Sequence, residues 1–247
     1  MSRLTVVARP NSVPVWDSGA LTLRFIALAF RLASVVLIAT GIVRITGIFS
    51  DTPSPKAWLF YTVLSNVLCL VWMLALLAST VRGLAAYGSR GHSTPSARGS
   101  AAIMMAITVT MLIYIFVLVP SAFVQAGDYQ PFSLTDNLIH IVTPVLLIGD
   151  WLFFVPKGQL RPGDPLRWVL IPLAYMVLSF LYGALGGEFL EGARVPYPFM
   201  NVDVYGIGGV ALWIVGLGIG LVVVGYLYFG LDRLIAWLAG REHQPRV

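Results

Sequence analysis

Apolar runs of about twenty residues recur along the chain, separated by short segments rich in Pro, Gly and charge. A helix rises 1.5 Å per residue, so each run is long enough to cross roughly 30 Å of hydrocarbon. The pattern predicts helices near Leu21 to Phe49, Ala57 to Val81, Ala101 to Phe123, Leu134 to Val155, Arg167 to Gly186 and Tyr205 to Leu231. No hydrophilic stretch is long enough for a separate domain, so residues 1–247 read as one all-α membrane domain of six transmembrane helices.

Composition strengthens this reading. Hydrophobic residues make up 58% and charged residues 11% of the chain, and the mean hydropathy is +0.84. The N-terminal stretch lacks the short apolar core and small-residue cleavage site of a secretory signal, and is expected to remain as a cytosolic arm. The single cysteine, Cys69, falls inside a predicted helix, which excludes an intrachain disulfide.

The charge of +5 is distributed by side rather than gathered into a patch. Arg82, Arg90, Arg98, Lys157, Arg161 and Arg167 fall in the two even-numbered connections, and Arg3, Arg9, Arg241 and Arg246 near the termini. The other connections hold Lys56 and Arg194 against Asp51, Asp128, Glu188, Glu191 and Asp203. By the positive-inside rule both termini face the cytoplasm, and nucleic acid is not an expected partner. The expected location is the cell membrane, multi-pass.

Ionisable and hydroxylic residues at membrane depth are the candidates for chemistry. Thr62 lies five residues after Ala57, about 8 Å below the outer boundary, and His140 six residues after Leu134, about 9 Å down on a helix running the same way. Asn66 follows Thr62 by four residues and Asp136 precedes His140 by four, so each shares its partner's helix face. Pro144 removes the backbone bond to the carbonyl of His140, so a bend is expected there, tolerated only beside protein or a water-filled cavity. A threonine hydroxyl becomes a nucleophile when a base takes its proton, and neutral imidazole is the usual base near pH 7. Asp136 is then expected to hold the histidine tautomer. Equally, Thr62 could bond its own helix while His140 makes an ordinary interhelical hydrogen bond.

In span one, Arg24 and Arg31 lie seven residues apart on one face, with Asp150 a candidate ion-pair partner. Arg44 falls near the level of Thr62 and His140, where it could hold a substrate carboxylate or snorkel to headgroups. The glycines near Gly206 and Gly216 suggest close helix packing. His92 and His243 fall outside the spans, so a two-histidine haem or histidine metal site is not expected, and no GxSxG, HExxH or P-loop motif occurs.

The string Phe60-Tyr61-Thr62-Val63-Leu64-Ser65-Asn66, with His140, Pro144, Asp150-Trp151 and Tyr197-Pro198-Phe199, resembles the androgen-induced gene and ADTRP family and its bacterial relatives. The similarity runs from span two into span six. The resemblance implies a six-span membrane hydrolase that uses a threonine and a histidine, with no metal or cofactor, to cleave fatty acid esters of hydroxy fatty acids. It implies Thr62 as nucleophile and His140 as base. To these, spacing adds Asn66, Asp136 and Arg44 as candidate substrate-binding residues. The Tyr197 segment would cap the cavity or anchor its loop. The expected partners are a lipid ester and membrane lipids, with the active site nearer the outer side. The principal alternative is a small-solute or lipid transporter with a protonatable His140 in its pathway, followed by a scaffold whose polar cluster locks helices together.

Overall fold

The computed structural model describes residues 13–120 and 131–242. The predicted end of span three at Phe123, the charges Arg3, Arg9, Asp128 and Arg246, and His243 lie outside the described residues. Within them the chain is nearly all-α, with six helices long and apolar enough to cross a membrane. They are α1 (Arg24–Thr46), α2 (Tyr61–Tyr87), α3 (Ala97–Leu118), α4 (Leu134–Phe154), α5 (Asp164–Ala184) and α6 (Val202–Glu242). A two-residue hairpin, β1 (Trp16–Asp17) paired antiparallel with β2 (Ala20–Leu21), precedes α1.

Helix ends follow local chemistry. Gly47, at φ 59°, closes α1 in the left-handed conformation and donates its N–H to Val43. Ser96 caps α3 by accepting from the Gly99 amide at 3.0 Å. Ser133 caps α4, accepting from the Asp136 amide at 3.2 Å while its hydroxyl donates to the Asp136 carboxylate at 2.7 Å. α6 runs past the predicted Leu231, because Leu234, Ile235, Trp237 and Leu238 continue a helix whose charged residues had ended the hydropathy signal.

The start of α2 differs in a way that matters. Pro55 opens a 3-10 turn over Pro55–Leu59 and Phe60 is extended, so the helix begins at Tyr61 rather than Ala57. Thr62 is therefore in the first helical turn, not five residues deep. The glycines of α6 also depart from expectation: a Cβ added at Gly206, Gly208, Gly216, Gly218 or Gly220 would meet nothing within 4 Å. They do not mediate packing among the described residues.

A buried polar knot joins α1, α2 and α4 at the end opposite Thr62. Arg31 donates from Nε to Asp150 Oδ1 at 2.7 Å and from Nη2 to Oδ2 at 3.2 Å, both side chains being 1% exposed. Its Nη1 donates to the Thr80 hydroxyl at 2.6 Å and the Ser93 carbonyl at 2.9 Å. Arg24, predicted to share that partner, instead binds the connection after α2, donating to Ser93 Oγ at 2.9 Å and the Gly88 carbonyl at 2.7 Å. Lys157 folds back on the end of α4 and donates to the carbonyls of Trp151 at 2.7 Å and Leu152 at 3.1 Å.

Asp150→Ala strands the Arg31 guanidinium in an apolar interior and is expected to cost about 3–5 kcal/mol. Thermal unfolding in detergent measures the loss, and Arg31→Met combined with Asp150→Leu is expected to recover most of it. Lys157 gives a pH signature. Burial, opposed by the carboxylates of Asp232 and Asp150, pushes its ammonium down to about 8, against roughly 10.4 in an unfolded chain. Between those values the unfolded chain binds more protons, so this contribution to stability rises with pH across that window and is lost as pH falls through about 8. Unfolding midpoints taken from pH 7 to 10 check this, with Lys157→Met expected to flatten the rise.

Candidate functional site

Two helices that would be uniform by hydropathy each widen into a π turn. In α3 it spans Tyr114–Leu118 and in α4 Leu138–Val142. Each ends two residues before a proline, Pro120 and Pro144 respectively, where the missing N–H already breaks the regular bonding. The Thr143 amide reaches back five residues to the Leu138 carbonyl, and the Thr143 hydroxyl donates to the same oxygen at 3.0 Å. The distortion expected at His140 is thus a π turn, with its displaced carbonyls re-satisfied locally.

The two π turns bring Tyr114 and His140 face to face, with ring centroids 4.1 Å apart and planes within 5°. On the opposite flank, Gly41 of α1 admits the π turn closely: a Cβ there would lie 3.0 Å from Ile139 Cγ2. The imidazole is 6% exposed and fixed at both nitrogens. Nδ1 lies 3.2 Å from the Asp136 backbone carbonyl, which can only accept. Nδ1 must therefore carry the proton, leaving the Nε2 lone pair free. That lone pair faces the Thr62 hydroxyl at 3.4 Å. The Asp136 carboxylate is 3.8 Å from Nδ1, so the backbone oxygen, more than the side chain, sets the tautomer.

The other predicted site residues have defined positions. Asn66 is fully buried and its amide donates to the carbonyls of Thr62 at 2.7 Å and Ile139 at 3.0 Å, bridging α2 to the π turn of α4. Among the described residues its Oδ1 has no hydrogen-bond partner. Asp136 completes the α4 cap. Arg44 is exposed and donates from Nε to the Thr135 hydroxyl at 3.1 Å. These contacts bring Thr62, His140, Asn66 and Asp136 together and leave Arg44 at the rim.

Thr62 also lines a cavity of about 70 Å³. Thr62, Tyr175 and Tyr197 give it hydroxyls, while Leu173, Met176 and Leu217 typify its apolar wall. Among the described residues, His140, Asn66, Asp136 and Arg44 do not line it. The threonine therefore touches both an apolar chamber and the imidazole.

Two tyrosines close the start of α2. The amides of Val63 and Leu64 both bond the Phe60 carbonyl, at 3.1 and 3.2 Å, leaving those of Tyr61 and Thr62 to find partners elsewhere. The Tyr175 hydroxyl donates to the Leu59 carbonyl at 2.9 Å and lies near the Tyr61 amide. The Tyr197 hydroxyl lies near both the amide and the side chain of Thr62, which favour its ionised form against the larger effect of burial. Burial pushes the Tyr197 phenol well above its ordinary range, so it stays protonated and able to donate at neutral pH. Tyr197 stacks on Phe199 at 5.6 Å and 3°.

Sequence reasoning missed Tyr114 and Tyr175. The signal for Tyr114 was Pro120, placed after its π turn much as Pro144 is placed after that of His140; Tyr175 carried none. Among the described residues no group of three or more His, Cys, Asp or Glu side chains could hold a metal ion. Comparison with known proteins gives no matching family model, no matching curated protein and no matching solved structure.

The nitrogen assignment is directly measurable. In protein labelled with 15N-histidine, the His140 signals, identified by their loss in His140→Gln, are expected to show a protonated Nδ1 and a non-protonated Nε2 at pH 7. An Nε2–H signal would reverse the donor and acceptor roles at Thr62.

Proposed function

We propose that this chain is a metal-independent lipid ester hydrolase of the cell membrane, with both termini cytoplasmic and its active site nearer the outer side. The observation that carries the reading is the Nε2 lone pair of His140 facing the Thr62 hydroxyl, with Nδ1 committed to a backbone carbonyl. At 3.4 Å the contact is long, as catalytic hydrogen bonds in ligand-free sites often are before substrate tightens them. The apolar cavity against the same hydroxyl suits an acyl chain that diffuses in laterally from lipid. The distribution of basic loops supports the orientation, and the resemblance to the androgen-induced gene and ADTRP family favours fatty acid esters of hydroxy fatty acids as substrates.

In the reaction, Thr62 Oγ attacks the ester carbonyl as its proton passes to His140 Nε2, and the carbonyl π pair moves onto oxygen. Collapse of that oxyanion restores the carbonyl and breaks the bond to the alcohol, which leaves with the proton from Nε2. Water then attacks the acyl-threonine, giving its proton to Nε2. The second collapse returns the proton to Thr62 Oγ and releases the fatty acid. Tyr114 supports the imidazolium in each half-reaction through its ring face. Asn66 acts on position, since both its donors are engaged by backbone.

Purified protein treated with a fluorophosphonate probe and a fatty acid ester of a hydroxy fatty acid tests the reading. Wild type is expected to be labelled and to turn over the ester, with or without chelator. Thr62→Ala and His140→Ala are each expected to lose at least about a hundredfold in kcat while remaining folded. Equal labelling or turnover by folded Thr62→Ala would remove the nucleophile, and inhibition by chelator would point to a metal.

A further inference from the structure

We propose that Tyr197 is a catalytic residue of this site: its hydroxyl and the Thr62 backbone amide together receive the oxyanion formed when Thr62 attacks an ester. The inference rests on the hydrolase reading above and identifies the part of the machinery that reading leaves unfilled. Attack places a negative oxygen beside Thr62 Oγ, and preorganised donors aimed at that point are usually the largest single contribution to catalysis in acyl transfer. Asn66, the nearest side-chain amide, is excluded because its two N–H groups are spent on the carbonyls of Thr62 and Ile139. His140 is occupied with the proton itself.

Three observations point to Tyr197 instead. It lines the same cavity as Thr62. Its hydroxyl lies near both the Thr62 side chain and the Thr62 amide. That amide belongs to the first turn of α2, where Phe60 supplies no side-chain cap and the helix dipole favours negative charge. When an ester enters, its carbonyl oxygen takes a place between them and receives both the Thr62 N–H and the Tyr197 O–H. The ring is held for this by stacking on Phe199 and by an edge contact with Phe60, whose centroid is 6.3 Å away. The loop carrying Tyr197 thus contributes a donor to the site as well as covering it.

The test is Tyr197→Phe, which keeps the stacked ring and removes the donor. On a fatty acid ester of a hydroxy fatty acid, kcat is expected to fall about a hundredfold or more with KM changed only a few-fold. Affinity for a long-chain trifluoromethyl ketone, which forms a tetrahedral oxyanion on the nucleophile, is expected to fall in parallel, and the thermal midpoint is expected to hold. Wild-type kcat in Tyr197→Phe beside an inactive Thr62→Ala would overturn the role of Tyr197 and leave the hydrolase standing. A fall in kcat without loss of ketone affinity would also overturn it, since a purely positioning or structural tyrosine behaves that way. Full turnover by Thr62→Ala would take both readings down. Should Tyr197→Phe not fold, a trifluorotyrosine at this position keeps ring and hydroxyl but makes the phenol more acidic. A changed kcat at constant KM is then expected, and an unchanged kcat would overturn the proposal.

Discussion

The buried ion pair between Arg31 and Asp150 is the constraint on which the rest of the bundle depends. Two charges at 1% exposure are stable only when their remaining hydrogen-bonding capacity is met, and here that need recruits α1, α2, α4 and the connection after α2 through Thr80 and Ser93. Three helices are thereby held in register at one end. At the other end of α2 and α4, a hydroxyl and an imidazole reach hydrogen-bonding distance without any strong interaction of their own. A 3.4 Å contact could not define the packing of two helices, but it can be a consequence of packing defined elsewhere.

Between those ends, proline chemistry supplies the local geometry. The Asp136 carbonyl, one turn back on the same helix, keeps a lone pair for His140 Nδ1, and the two π turns set Tyr114 flat against the ring. A neutral, oriented histidine is therefore built largely from main chain and one aromatic face, with the Asp136 carboxylate at a distance. Asn66 completes the arrangement by tying Thr62 and Ile139 together through their carbonyls.

Much of this was legible in the chain, for identifiable reasons. Six helices follow from hydropathy because a long apolar run has few ways to satisfy its backbone, and the Arg31–Asp150 pair follows because isolated charges in such runs must find one another. Pro144 announced a distortion at His140. What sequence did not convey was its form, a π turn rather than a bend, or the start of α2, where Pro55 imposes a short 3-10 turn that hydropathy reads as more of the same helix. The tyrosines were harder still. Tyr175 and Tyr197 come from separate regions of the chain, and only the fold brings their hydroxyls to two adjacent amides at the head of α2. Gly206, Gly208, Gly216, Gly218 and Gly220 of α6 misled because small residues signal close approach in general, whereas it is Gly225, farther along the helix, that sits against Pro165.

Thr62 touches both the cavity and His140, which has a pharmacological corollary. A compound entering through the cavity meets hydroxyl groups on an apolar wall of which, among the described residues, the imidazole is not a part. Groups that gain potency by binding histidine, such as metal chelates or strong acids, have nothing to grip along that route. Selectivity along that route is set by the fit of an apolar tail, and polar recognition by the hydroxyls of Thr62, Tyr175 and Tyr197.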